Sequence, residues 1–196
     1  MSPFEKLLQP IKIGEMEVKN RFVMAPMVTN YAGRDGFVTE RLRAYYRARA
    51  KGGVGLIIVE AAFVDPSGKG YSNELGIYKD DFIDGLKRLV HEVRRFGTKI
   101  AIQIYHSGRQ SHGAMTGGRL IAPSPIPCPV CREAPKEMTK GDINNMIEAY
   151  GQAARRAVAS GFDAVEMHGA HGYLINQFLS PYSNQRMDEY GGPLEN

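Results

Sequence analysis

Two histidines and a tyrosine leave a single apolar run together, in Ala164-Val-Glu-Met-His168-Gly-Ala-His171-Gly-Tyr173. Two imidazoles three residues apart in a glycine-flanked loop can ligate a metal. They can also give two N–H bonds to one substrate oxygen. A metal needs a third ligand close by. Glu166 is expected on the same strand face as His168 but deeper in the core. The oxyanion clamp is therefore the simpler reading, and no metal is expected. Tyr173 follows two residues later with a phenol able to deliver a proton.

Other polar residues sit where an apolar strand should be closing. Glu60 ends Gly55-Leu-Ile-Ile-Val-Glu-Ala61, and Gln103 lies late in Lys99-Ile-Ala-Ile-Gln-Ile-Tyr105. A polar side chain in a buried strand needs a partner. Gln103 has a carbonyl and an amide, which suits a heterocycle with paired donors and acceptors or, equally, the loop of a neighbouring strand. His106 and Arg109 in His-Ser-Gly-Arg, and Arg186 in Asn-Gln-Arg, are further ligand candidates, although loop arginines commonly pair with acids or water.

The elements that must position these residues are short strands alternating with helices. Arg21–Met27, Gly55–Ala61, Lys99–Tyr105 and Ala164–His168 are rich in Ile, Val or Met and too short for helices, so they read as buried strands. Between them, Thr39–Lys51, Asp80–Phe96 and Thr139–Ser160 carry apolar residues at helical spacing, including Ile143, Met146, Ile147, Tyr150, Ala154 and Val158 in the last. The first starts at a Thr cap, and each ends at glycine. Ile11–Val18 reads as a small hairpin turning near Gly14. This order predicts an α/β fold with a parallel sheet and right-handed crossovers. Long loops after the strands mark the functional face at 26–30, 60–62, 103–109 and 168–173.

Composition restricts the function classes. Of 196 residues, 25 are Lys or Arg and 21 Asp or Glu, and the two signs are interleaved, so the net charge of +4 suits small anions better than nucleic acid. No apolar run reaches the roughly 20 residues of a membrane helix, and the N-terminus lacks the apolar core of a secretory signal. The expectation is a cytoplasmic protein with no membrane partner. The only cysteines, Cys128 and Cys131, form a CxxC in a proline-rich loop. They read as two loop thiols, with a metal or a disulfide as the alternative.

Taken together, Asn20-Arg-Phe-Val-Met-Ala-Pro-Met27, Val59-Glu-Ala61, Ile102-Gln103, His106-Ser-Gly-Arg109 and His168-Gly-Ala-His171-Gly-Tyr173 resemble the old yellow enzyme family. So does Phe178-Leu-Ser-Pro-Tyr-Ser-Asn-Gln-Arg-Met-Asp-Glu-Tyr-Gly-Gly192. The branch is that of the NADH:flavin oxidoreductases and 2,4-dienoyl-CoA reductases. The resemblance implies a (β/α)8 TIM barrel with FMN at the C-terminal rim and NAD(P)H as hydride donor. By position it places Ala25, Pro26, Met27 and Val28 against the flavin, Ala61 near its ring and Gln103 on its pyrimidine edge. It assigns His168 and His171 to the carbonyl oxygen of an activated alkene and Tyr173 to its protonation. Val28 stands where relatives place Thr or Cys, and Asn30 where one branch places a substrate-contacting Tyr. The implied substrate is a small enone, an enoate or an acyl-CoA.

Such a barrel needs about 250 residues. The chain is therefore expected to be the N-terminal half, residues 1–196 forming one domain of about four βα units with the hairpin at 11–18. The flavin phosphate grip, a ring-contacting Arg and the iron–sulfur segment of long members are expected beyond it, which removes Cys128 and Cys131 as cluster ligands. An alternative is a half-barrel, or a non-catalytic flavin-binding or assembly module, that closes with a second copy or a missing C-terminal half.

Overall fold

In the computed structural model, which describes residues 4–193, strand and helix alternate along the chain. The first and last three residues of the expected 1–196 unit lie outside the described residues. A one-turn helix α1 (Glu5–Leu8) precedes a hairpin of β1 (Ile11–Ile13) and β2 (Met16–Val18), whose turn uses Gly14 at φ +57°. Then follow β3 (Val23–Met24), α2 (Glu40–Lys51), β4 (Leu56–Phe63), α3 (Ile83–Arg94) and β5 (Lys99–Tyr105). A small parallel pair, β6 (Ile121–Ala122) and β7 (Lys136–Glu137), lies in the loop before α4 (Lys140–Ser160); β8 (Ala164–Met167) and α5 (Leu174–Leu179) complete the order.

Strands β3, β4, β5 and β8 form one parallel sheet in that spatial order. Consecutive parallel neighbours joined through helices are the repeating unit of a (β/α) barrel wall. Two of the expected strands change length for identifiable reasons. The run expected over Arg21–Met27 pairs only at Val23–Met24, and Pro26 just beyond has no N–H to continue a ladder. Strand β4 outruns its expected end and reaches Phe63, because a register shift between Val59 and Ala62 lets pairing resume beyond the polar Glu60. That bulge re-aims Glu60 and Ala61 at the rim.

Leu42, Tyr46, Leu86, Leu89, Ile143 and Ala153 of the helices pack on Ile57, Val59, Ile100 and Ile102 of the sheet. On the other face Leu56 and Ala101 pack against Val18 of the hairpin, which closes the N-terminal end of the strands. Chemistry is thus left to the opposite end, where residues 25–39, 64–79 and 106–139 form long loops. The helix expected from Asp80 opens with a 3-10 turn, Asp80–Phe82, before α3 begins.

Helix α4 starts with a capping box. The Thr139 hydroxyl accepts from the Asp142 N–H at 3.1 Å, and the Asp142 carboxylate accepts from the Thr139 N–H at 2.9 Å. Gly161, at φ +88°, ends the helix. Thr139→Ala should cost about 1 kcal/mol of stability, read as a lower urea midpoint; an unchanged midpoint would show that the box carries none. Ile147 and Val158, expected in the core, are exposed on α4. Ile147 borders an apolar groove of about 910 Å³ running between α4, β8 and α5. The outer edge of β8 has no neighbouring strand among the described residues.

Candidate active site

The end of β8 builds the centre of the site. The His168 N–H continues the parallel ladder to the Ile104 carbonyl at 3.1 Å, so the imidazole is set at the sheet rim and is only 7 % exposed. The chain then turns through left-handed His171 (φ +57°) and Gly172 (φ +75°), and the Gly172 N–H is held by Asn176 Oδ1 at 2.8 Å. This turn returns Tyr173 toward His168. Their rings meet edge-on at 4.9 Å, His168 and His171 at 5.1 Å, and Tyr105 packs edge-on against Tyr173 at 5.0 Å. The three residues expected to act together form one cluster.

The hydrogen bonds assign the tautomers. His168 Nδ1 accepts from the Ala170 N–H at 3.3 Å, so its proton sits on Nε2, which faces His171 Nδ1 at 3.4 Å. Donation from His168 across that contact leaves the His171 proton on Nε2. Burial, then the neighbouring His171, lowers the His168 pKa below the ordinary histidine value. His168 is therefore a neutral N–H donor at pH 7. Burial, then the Tyr71 hydroxyl 3.4 Å away, raises the Tyr173 pKa well above that of a free phenol, so the phenol stays protonated.

Gln103 is buried beside this cluster. Its amide donates to Glu166 Oε1 at 2.7 Å across the β5–β8 pair. Glu166, expected deep in the core, is half-exposed because β8 lies at the sheet edge. Ala61 is buried in the bulge and shares a cluster with Val28, Phe63, Tyr105 and Tyr173. Ala25 and Met27 are exposed at the rim, Met27 by 63 %, with Pro26 half-buried between them. Asn30 stands apart from the histidines. At φ +56° its Oδ1 accepts from the Asn73 N–H at 3.2 Å, which joins the loop after β3 to the loop after β4.

Several candidates turn out to hold the site rather than face it. The Glu60 carboxylate accepts from the N–H and hydroxyl of Thr29 and from the Tyr46 hydroxyl; burial raises its pKa, and Oε1 is left without a partner. His106 is fully buried. Nδ1 accepts from the Gly108 N–H at 3.0 Å, so Nε2–H donates to Ser67 Oγ at 3.0 Å, and Ser67 donates on to Asp65. Burial drives the His106 pKa down to about 4, and the ring serves as a neutral strut. Arg109 gives its guanidinium to the Ile126 and Pro127 carbonyls. Arg186 ties the Pro123 and Met138 carbonyls to Asp188. Cys128 and Cys131 are free thiols in the loop between β6 and β7.

Other participants gave little signal in the sequence. Gln177 of α5, 1 % exposed, donates to the Ser107 and Gly172 carbonyls at 3.2 and 2.6 Å and accepts from the Arg109 N–H at 3.2 Å, stapling the loop after β5 to the loop after β8. Glu74 accepts from the Gly70 N–H at 2.8 Å and from the Tyr105 hydroxyl; burial pushes its pKa up to about 7. A polar residue in the apolar Leu-Ile-Asn-Gln-Phe-Leu run was the available cue for Gln177.

Residues 6–196 match the model of the NADH:flavin oxidoreductase / NADH oxidase family. The chain is 49% identical over 191 residues to an NADPH dehydrogenase of Geobacillus sp. (strain WCH70), covering 97% of this chain and 55% of that protein. It is 46% identical over 197 residues to an NADH oxidase of Thermoanaerobacter brockii, covering all of this chain and 30% of that protein. The chain thus spans about half, or less, of the length of these curated relatives. The old yellow enzyme homologue from Zymomonas mobilis superposes with a TM-score of 0.91 at 34% identity, over 97% of this chain and 56% of that one. A 2-naphthoyl-CoA reductase superposes at 0.94 and 35%, over 98% and 31%. The four parallel βα units are therefore part of a (β/α)8 barrel, and the cofactors that go with it are FMN and NAD(P)H. The chain belongs to the NADH:flavin oxidoreductase / NADH oxidase family, among old yellow enzyme relatives.

Proposed function

We propose that this chain supplies the flavin-ring and proton-donor side of an FMN-dependent NAD(P)H oxidoreductase that reduces an activated C=C bond. The reading rests on the His168–His171–Tyr173 cluster, in which two imidazoles, that of His168 neutral, and a protonated phenol meet at one strand end. The residues fit a flat, mixed donor–acceptor heterocycle. Gln103 spends one amide hydrogen on Glu166 and keeps its other hydrogen and its carbonyl oxygen for a ligand. Exposed Ala25 and Met27 provide apolar surface at the same rim, with Pro26, Val28 and Ala61 behind them.

Bound FMN supplies the two-electron chemistry, between the nicotinamide and the β-carbon of the alkene. The side chains do the rest. His168 Nε2–H turns from His171 to the substrate carbonyl, and His171 Nε2–H joins it. Two N–H donors fixed at one oxygen are worth most when that oxygen gains negative charge, as it does when hydride arrives at the β-carbon. Tyr173 O–H then protonates the α-carbon, so one hydride and one proton complete the saturated product. The Tyr105 and His168 rings pack edge-on against Tyr173 and cover one flank of it.

A second reading, an assembly module that needs a partner half, is favoured by the open β8 edge and the apolar groove beside it. One experiment separates the two. Titrated with FMN under anaerobic conditions, the chain should give a bound-flavin spectrum that NADPH bleaches and 2-cyclohexenone restores. Flavin uptake without bleaching favours the module, and no uptake at saturating FMN defeats the oxidoreductase reading for this chain.

A further inference from the structure

Beside Tyr173 a second cavity, of about 700 Å³, opens between the loops that follow β3, β4 and β5. Its size falls within the range of ligand sites. Arg34, Lys69, Tyr71 and Asn73 line it, together with Asn30 and Met115. Its walls hold two cations, amides and hydroxyls, and no Asp or Glu among the described residues. The nearby carboxylates are engaged elsewhere: Asp35 accepts from the Phe37 N–H, and Glu74 from Gly70 and Tyr105. Lys69 Nζ gives one hydrogen to the Arg34 carbonyl at 2.6 Å and lies 5.8 Å from the Phe63 ring centre; it makes no ion pair among the described residues, and the bond brings the two cationic residues together. The Arg34 guanidinium makes no ion pair or hydrogen bond among the described residues; its flanking backbone is held, but the fork is not. Arg43, Arg47 and Arg186 are paired with carboxylates, while Arg88 and Arg132, like Arg34, make no ion pair among the described residues.

An unpaired guanidinium and an ammonium at the wall of a polar cavity favour an anion, and the arginine fork matches phosphate oxygens in particular. Tyr71 separates the cavity from the reaction site: it lines the one and places its hydroxyl 3.4 Å from that of Tyr173 in the other. We infer that this cavity holds the phosphate-bearing tail of a molecule whose reacting end sits beside the His168–His171–Tyr173 cluster. The assignment rests on the proposed function for what happens at Tyr173, but the cavity's charge and shape stand without it. Two molecules share this chemistry: a pyridine nucleotide with a 2′-phosphate and a coenzyme A thioester with a 3′-phosphate.

Calorimetric titration of the full chain at low salt with NADP+ against NAD+, and with CoA against dephospho-CoA, tests the inference and names the source. In at least one pair the phosphorylated member should bind about tenfold more tightly, the equivalent of about 1.4 kcal/mol. Arg34→Gln, at an exposed position where folding is not at stake, should shrink that preference at least threefold, and Lys69→Gln should do likewise. Equal affinity within both pairs, no binding of any of the four, or a preference that Arg34→Gln reduces by less than threefold would overturn it. FMN uptake measured on the same samples keeps the two readings apart. Loss of flavin chemistry with an intact phosphate preference defeats the proposed function alone; flavin chemistry without a phosphate preference defeats this inference alone.

Discussion

Tyr173→Phe should slow alkene reduction by the flavin-loaded protein by about 10²–10⁴-fold, the usual contribution of a positioned general acid, and leave flavin reduction by NADPH unchanged. The asymmetry follows from geometry. The Tyr173 ring is held by edge-on contacts with Tyr105 and His168, which phenylalanine keeps, so only the hydroxyl is lost. In the proposed reaction that hydroxyl serves the α-carbon and has no part in the reductive half. The raised Tyr173 pKa adds a pH criterion. Because the acid form persists above the ordinary phenol range, the wild-type oxidative rate should not fall between neutral pH and pH 9. Stopped-flow measurement of the two half-reactions separately is the check. Equal losses in both would make Tyr173 a structural residue, and no loss in the oxidative half would assign the proton to another group.

What was legible in the sequence is what is local. Lys99–Tyr105 is strand as expected, because its Ile-rich run is buried on both sides, and Thr39 caps α2 as its position before a helical run implies. His168, His171 and Tyr173 could be read because one turn of chain carries all three. The residues that hold them were not legible, since their roles depend on contacts between distant segments. Gln177 meets Ser107 and Arg109 some seventy positions away, and Tyr71 meets Tyr173 across 102. His106 and Arg186 illustrate the reverse error. A histidine and an arginine in loops resemble ligands in sequence, and only their buried backbone partners show them to be struts. Strand β3 is shorter than its apolar content suggests, because Pro26 withholds the N–H that pairing needs.

Gly108→Ala should be among the most damaging single-methyl changes in the chain, costing about 3–5 kcal/mol through left-handed strain and unsatisfied buried polar groups together. Gly108 sits at φ +57°, and a Cβ there would lie 2.2 Å from Gln177 Oε1. The side chain cannot simply move aside. Gln177 is buried, and its three hydrogen bonds hold the Ser107–Arg109 turn against the Gly172 carbonyl, one residue before Tyr173. Displacing it leaves buried donors and acceptors unpaired and frees the Tyr173 loop, so under the proposed function lost stability should be accompanied by lost oxidative-half activity. Gly14 supplies the control. It has the same φ of +57°, but a Cβ there meets nothing within 4 Å, so Gly14→Ala pays the backbone strain alone, about 1–2 kcal/mol. The difference between the two urea midpoints isolates the Gln177 contact. If Gly108→Ala proves no worse than Gly14→Ala, Gln177 is not the staple between the two loops, and the position of Tyr173 must be fixed by its aromatic neighbours instead.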